Sequence, residues 1–136
     1  MPLPERVLID TSAFYALVSA TDSFHRQAGE TYDRLIDRDQ ELWATSYVLV
    51  ETIALVHRRL GFQALSELME SVQGNLRVFW VESTVHTEAW KRLTASQGSG
   101  LSFVDWTSAL VSIMLKAYVF TFDRGFANQG LAVLPR

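Results

Sequence analysis

The sequence contains no cysteine, and only three of its 136 residues are histidines. The absence of cysteine excludes disulfide bonds, thiolate metal sites and cysteine nucleophiles. His25, His57 and His86 form no paired-histidine motif, so we expect surface or hydrogen-bonded histidines rather than metal ligands. Oxygen-bearing side chains are therefore the main candidates for any chemistry.

Basic residues are not in excess, and no long apolar run is present. Twelve lysines and arginines against fifteen acids give a net charge of −3, which disfavours a surface that coats nucleic acid broadly but allows a local basic patch. No stretch reaches the roughly eighteen apolar residues of a membrane span. The start, MPLPERVLID, has neither the basic residues nor the apolar length of a signal peptide. We expect a cytoplasmic protein without a membrane segment.

Short β-rich runs alternate with longer helical patterns along the whole chain, which we treat as one domain, residues 1–136. The predicted strands are Arg6 to Ile9, Leu42 to Thr45, Val78 to Val81, Tyr118 to Phe122 and Leu131 to Leu134. The predicted helices are Thr11 to Val18, Ser23 to Asp39, Ser46 to Leu60, Gly61 to Gln73, Ser83 to Ala95 and Phe103 to Lys116. This order predicts an α/β fold with a central, mainly parallel, twisted sheet of four to five strands and helices on both faces.

Two aspartates directly follow predicted strands. Asp10 lies within the apolar run VLIDTSAFYAL, and Asp123 follows the strand YVFTF in the segment TFDRGF. Ligands of parallel sheets bind beyond the carboxyl ends of the strands, so both acids fall on the expected ligand edge. Each also fits a helix N-cap, and Gly125 suits a turn after Asp123. A buried, unpaired carboxylate is costly, so Asp10 needs a partner.

Two further acids lie in apolar helical surroundings. Glu51 is flanked by aliphatic residues in SYVLVETIALV, which predicts burial on several faces and a requirement for a partner. Arg58 lies about 10 Å further along the helix, too far for a direct ion pair. Asp105 completes the capping-box pattern S-F-V-D that starts at Ser102, at the N-terminus of an apolar helix.

In order and surroundings, the four acids make the chain resemble the PIN-domain family, most closely its VapC-like toxin ribonucleases. The resemblance rests on VLIDTSAFYAL, ATSYVLVET, GLSFVDWTSALV and FTFDRGFANQGLAVLP and covers nearly the whole chain. It implies that Asp10, Glu51, Asp105 and Asp123 converge, bind divalent metal and cleave RNA. It also implies an antitoxin partner, encoded next to the protein, and a homodimer.

The residue types agree with that implication. Oxygen ligands without cysteine or paired histidine suit Mg²⁺ or Mn²⁺ rather than zinc. A divalent cation also relieves the repulsion among neighbouring carboxylates. Asp10 and Asp105 are the first choices for direct ligands and Asp123 the next, while Glu51 binds a second ion or orients the attacking water. By the resemblance, Thr11 or Ser12 lies behind these ligands as a polar support.

Contacts to RNA require cations and unstacked bases. Candidate residues for phosphate contacts are Arg124, Arg58, Arg59, Lys91 and Arg92. With a net charge of −3, we expect a structured RNA cut at few places, and the resemblance points to a transfer or ribosomal RNA loop. Trp43, Trp80 and Trp106 are predicted to pack in the core, whereas the place of Trp90 stays open between the core and contact with RNA, because its neighbours are basic.

Two other functions stay open at this point. One is a stand-alone PIN-domain nuclease that processes RNA, and the other is a PIN-like module that binds RNA or protein without cleaving. Retention of all four acids argues against the second. A phosphatase of the haloacid-dehalogenase type requires a second acid two residues after the first, where this chain has Ser12.

Overall fold

The computed structural model describes residues 4–136, so the first three residues of the expected domain lie outside the described residues. The strands are β1 (Arg6–Ile9), β2 (Glu41–Thr45), β3 (Leu76–Phe79), β4 (Tyr118–Phe120) and β5 (Val133–Leu134). The helices are α1 (Thr11–Val18), α2 (His25–Asp37), α3 (Ser46–Leu60), α4 (Phe62–Val72), α5 (Ser83–Ala95), α6 (Phe103–Leu115) and α7 (Arg124–Asn128). The longest of these, α3, has 15 residues, and no helix between residues 4 and 136 combines the length and apolar character needed to cross a membrane.

The five strands form one parallel sheet in the order β3-β2-β1-β4-β5. The chain builds outward from β1 to β3 on one side, then returns to add β4 and β5 on the other. The gap between the ends of β1 and β4 is therefore the point where the strand order reverses, which is where ligands bind in such folds. The predicted α/β architecture with a parallel sheet is confirmed.

Helices cover both faces of the sheet, and β1 shows why the sequence requires this. Val7 and Ile9 contribute to the core cluster that contains α1 to α4, whereas Leu8, between them, packs against Val111 of α6. All three are fully buried, because successive strand side chains point to opposite faces. A strand that is apolar on both faces must be covered on both sides.

Several element boundaries differ from those predicted from the sequence. Strand β3 occupies residues 76–79 instead of 78–81, because Leu76 pairs with Leu42 while the backbone N–H of Val81 donates to Ser46 Oγ (3.0 Å). Strand β4 ends at Phe120, and the short helix α7 was not predicted.

The shift of β3 also changes which tryptophans lie in the core. Trp106 is buried and Trp43 packs against a core cluster, as predicted. The prediction that Trp80 packs in the core was wrong, because it lies just past the end of β3 and is 73% exposed. Trp90 on α5 is 57% exposed.

We expect the core to depend on Phe14, which is fully buried among α1 to α4. Phe14→Ala should lower the free energy of unfolding by about 3–5 kcal/mol, since it leaves a cavity. The matched control is Phe62→Ala, which removes a 71% exposed ring and should change stability by no more than about 0.5 kcal/mol. Urea unfolding of both variants measures the difference, and equal losses would contradict this description of the core.

Candidate active site

Three aspartates lie at the carboxyl edge of the sheet, beside the point where the strand order reverses. Asp10 follows β1 as the N-cap of α1, and Asp123 follows β4 as the N-cap of α7. Asp105 is in the first turn of α6, whose other end reaches the opposite edge, where Arg6 donates to the Leu115 carbonyl (3.3 Å). The structure therefore brings together acids that are up to 113 positions apart in the sequence.

The two oxygens of the Asp10 carboxylate have different surroundings. Oδ2 accepts hydrogen bonds from Ser12 Oγ (2.8 Å), Thr121 Oγ1 (2.9 Å) and, at 3.4 Å, the Ser12 backbone N–H. Oδ1 is buried and has no hydrogen-bond partner among residues 4–136. Asp10 is only 3% exposed, and this burial raises its pKa although the bonds from Ser12 and Thr121 lower it.

Both hydroxyls that face Asp10 are fixed by the backbone of the neighbouring segment. The N–H of Phe122 donates to Ser12 Oγ and the N–H of Asp123 donates to Thr121 Oγ1, each at 2.9 Å. Each hydroxyl thus accepts one backbone hydrogen bond and donates its single proton to Asp10 Oδ2. These bonds join the end of β1 to the end of β4.

Thr121 was not identified from the sequence, whereas Ser12 was. The signal for Thr121 lies in the strand register: Ile9 pairs with Phe120, which places the next residues, Asp10 and Thr121, side by side. Thr11, named with Ser12 as a polar support, does not contact Asp10 through its hydroxyl. Its Oγ1 is buried and forms no hydrogen bond within the described part of the chain.

Asp105 forms the predicted capping box. Its Oδ2 accepts from the Ser102 N–H (2.9 Å), and its own N–H donates to Ser102 Oγ (3.1 Å). The side chain is buried, and burial, followed by the charge of Asp10, raises its pKa to about 7. The charge of Asp123 raises this pKa further, while the bonds from Ser102 lower it. The three carboxylates are therefore close enough to repel one another.

Asp123 is held by the turn that follows it. Its Oδ1 accepts from the Gly125 N–H at 2.8 Å. A side chain at position 125 would place its Cβ 2.7 Å from Leu101 Cδ2, so glycine allows the turn to approach the segment before α6. This close contact, more than the turn conformation, explains the glycine of TFDRGF.

All three aspartates thus use one oxygen to hold the local fold. The other oxygens, which are Asp10 Oδ1, Asp105 Oδ1 and Asp123 Oδ2, accept no hydrogen bond from residues 4–136. Capping and ligand binding are therefore compatible, since each oxygen serves one purpose. A buried acceptor without a donor and two repelling neighbours fit a hard divalent cation.

Glu51 is not joined to this group by any hydrogen bond or ion pair in the described range, and no cation pairs with it there. It is half-buried on α3, and the prediction of burial on several faces was wrong. Val50 is 68% exposed and Ile53 is 42% exposed, because α3 buries only the face that carries Val48, Thr52 and Val56. Among residues 4–136, no three acidic or histidine side chains form a preassembled metal cage.

The predicted cationic contacts lie at different distances from the aspartates. Arg124 is exposed and directly follows Asp123. Arg58 and Arg59 lie in the last turn of α3, about 18 Å along the axis from its start at the acidic edge. Two more are on α5, where Lys91 is exposed and Arg92 pairs with Glu88 at 3.1 Å.

Comparisons with known proteins agree with the fold. The structure resembles that of VapC20 from Mycobacterium tuberculosis, described as a sarcin-ricin loop cleaving toxin, with a TM-score of 0.79 and 28% identity over 93% of this chain and 96% of that chain. A protein from Pyrobaculum aerophilum, PAE2754, shares the fold with a TM-score of 0.65 and 22% identity, covering 94% of this chain and 87% of that one. FitAcB from Neisseria gonorrhoeae also shares it, with a TM-score of 0.64 and 17% identity over 93% and 95%.

A search of curated proteins found no sequence match. The family model of the PIN domain, in contrast, matches residues 7–130 and so includes all three aspartates and Glu51. This match covers most of the chain and agrees with the structural likeness to a VapC toxin. The chain therefore belongs to the PIN-domain family.

Proposed function

We propose that this PIN domain is a Mg²⁺- or Mn²⁺-dependent endoribonuclease and the toxin of a VapBC-type toxin-antitoxin pair. The likeness to VapC20 supports a nuclease toxin of the VapC type. The observation that carries the proposal is the set of three aspartates, each with one free oxygen, at the point of strand-order reversal.

Asp10, Asp105 and Asp123 hold the ion in this proposal. A bound divalent ion supplies an activated water and stabilises the charge that develops on the scissile phosphate. Ser12 and Thr121 hold the Asp10 carboxylate through Oδ2, so that Oδ1 stays directed away from these two hydroxyls. Glu51 is assigned to a second ion or to the orientation of the attacking water, with one metal or two left open.

The proposed substrate is a structured RNA, such as a transfer or ribosomal RNA loop. The description of VapC20 as a sarcin-ricin loop cleaving toxin supports this class of target. The net charge of −3 is also consistent with recognition of a shaped loop, where Arg124 beside the aspartates contacts a phosphate. Arg58, Arg59, Lys91 and Arg92 lie further along their helices and are assigned to the flanking RNA.

Partners and location follow from the toxin assignment. We propose an antitoxin protein that covers the acidic edge, a homodimer and a cytoplasmic location. An open reading frame for a short antitoxin next to this one favours the toxin, and its absence favours the stand-alone processing nuclease.

Replacing one proposed ligand should abolish cleavage without loss of the fold. In Asp10→Asn, asparagine can still cap α1 and accept from Ser12 and Thr121, but the ligand charge is removed. We expect metal-dependent RNA cleavage to fall below detection while the thermal unfolding midpoint is unchanged or higher, since carboxylate repulsion is relieved.

The assay is incubation with total RNA and Mg²⁺ or Mn²⁺, followed by mapping of new 5′ ends. Asp33→Asn, on the exposed side of α2, is the matched control and should retain the wild-type cuts. A few cuts in loops are expected for the wild type. Full activity in Asp10→Asn would remove Asp10 from the site, and uniform degradation of all RNA would contradict the proposed substrate.

Thr121 should affect activity by positioning Asp10. Thr121→Val removes the hydroxyl that donates to Oδ2 and also leaves the Asp123 N–H without its acceptor. We expect metal affinity or kcat to fall by about 10- to 100-fold, as for other supports of metal ligands. Thr121→Ser, which keeps the hydroxyl, should recover most of it. Calorimetric titration with Mn²⁺ separates an effect on metal affinity from an effect on kcat. Equal metal affinity and kcat in Thr121→Val and Thr121→Ser would argue against the positioning role.

The metal-free protein should lose stability as pH rises. Asp105 has a pKa of about 7 in the folded protein against an ordinary value of 3.8, so the folded state binds its proton more tightly than the unfolded state does. Its contribution to stability is therefore complete below about pH 3.8 and is lost as pH rises through about 7. Asp10, whose pKa is also raised, acts in the same direction.

Urea unfolding at pH values from about 4 to about 8, which span the shifted pKa of Asp105, measures this loss of stability. Asp105→Asn should flatten the profile, and saturating Mg²⁺ should reduce the loss at high pH because the ion replaces the proton. Asp33→Asn should retain the wild-type slope. Equal slopes in the wild type and Asp105→Asn would show that Asp105 does not carry this pH dependence.

A further inference from the structure

Four aromatic side chains meet beside the acidic edge, and the proposed chemistry does not use them. They form an aromatic cluster, defined here as Tyr47, His86, Trp90 and Phe103. Phe103 lies at its centre, with ring centroids 4.9 Å from His86, 6.0 Å from Tyr47 and 6.4 Å from Trp90. The His86 and Trp90 rings meet Phe103 edge-on, at interplanar angles of 73° and 70°. The hydroxyl of Tyr47 is hydrogen-bonded to His86 Nδ1.

The cluster is close to the aspartates because its helices begin at the same edge of the sheet. Tyr47 is the second residue of α3, which directly follows β2, and Phe103 is the first residue of α6. Asp105 lies two residues after Phe103, about 3 Å further along the helix axis. Glu51 lies one turn after Tyr47 and shares its side of α3.

Two of the four rings are open to solvent. Trp90 is 57% exposed, His86 is exposed, and Tyr47 and Phe103 are half-buried. An edge-to-face contact with Phe103 covers at most one of the two faces of the Trp90 ring, and more than half of this side chain is open to solvent. Free aromatic faces next to a phosphate-cleaving site are the feature on which unpaired bases stack, because every base has a π-face.

The polar atoms of the cluster also favour a nucleobase over an apolar ligand. The Tyr47 hydroxyl and the His86 ring place hydrogen-bonding groups among the rings, where the edge of a base can reach them. Lys91, next to Trp90, is exposed and forms no ion pair within residues 4–136, so it is free to contact a phosphate. We propose that the aromatic cluster is a subsite for an unpaired RNA base next to the phosphate held at the aspartates, an inference that rests on the proposed nuclease function.

Binding of a short RNA to protein that cannot cut it tests the subsite. The Asp10→Asn protein is titrated, at low salt and with Mg²⁺, against a fluorescein-labelled oligouridine and against an oligomer of equal length that lacks the bases. Fluorescence anisotropy gives both affinities. Adding Trp90→Ala should weaken oligouridine binding by about 5- to 100-fold, the range for loss of one stacked base. Binding of the base-free oligomer should not change.

Two matched variants make the result specific. Trp90→Phe keeps an aromatic face and should recover part of the affinity. Phe62→Ala removes another exposed ring, at the start of α4 beyond the far end of α3, and should bind like the parent. Circular dichroism of each variant establishes that the fold is retained.

Each remaining outcome overturns the subsite. These outcomes are unchanged oligouridine affinity in Trp90→Ala, equal losses for both oligomers, and no measurable binding by the parent. Sedimentation without RNA tests the other occupant: a dimer that dissociates in Trp90→Ala would assign the surface to a second copy of the chain. Cleavage by the wild-type chain is measured separately. Absence of cleavage with base-dependent binding refutes the nuclease, whereas cleavage with Trp90-independent binding refutes only the subsite.

Discussion

The two oxygens of the Asp10 carboxylate have different roles, and the rest of the site depends on this difference. Asp10 directs Oδ2 to two hydroxyls that the backbone after β4 holds in place, and this leaves Oδ1 buried without a donor. The hydrogen bonds to Oδ2 offset part of the cost of burying a charged group, while Oδ1 stays available to a ligand. Asp105 and Asp123 show the same arrangement, because each uses one carboxylate oxygen in a helix cap. The same residues therefore shape the edge of the sheet and hold its charge.

Charge held in this way has an energetic consequence for the whole domain. The three aspartates approach one another because the strand order reverses beside them, and burial prevents water from screening their repulsion. A proton relieves this repulsion, and in the proposed function a divalent cation relieves it too, so the two would compete for the site. The proposed function therefore links stability to metal binding through Asp105, whose capping box fixes it in the acidic group.

Features that depend only on local sequence patterns were predicted correctly. The alternation of strands and helices predicted the parallel sheet, and the spacing S-F-V-D predicted the capping box of Asp105. The sequence did not indicate Thr121, because its role arises from pairing of strands 111 positions apart. The burial of Glu51 was overestimated, since an apolar helix sequence does not show that only one face of α3 meets the core. Trp80 was misplaced because β3 ends at Phe79, two residues earlier than predicted, so Trp80 lies beyond the strand and is exposed.

The long sequence separation between Asp10 and Thr121 also affects when the protein acquires its activity during synthesis. A nascent chain emerges from the ribosome N-terminus first, so Asp10 is exposed long before the segment that fixes its carboxylate. Until β4 docks against β1, Ser12 lacks its backbone donor and Asp123 has not joined the other aspartates. The acidic group is therefore complete only after residues 105–136 have been synthesised and β4 has paired with β1.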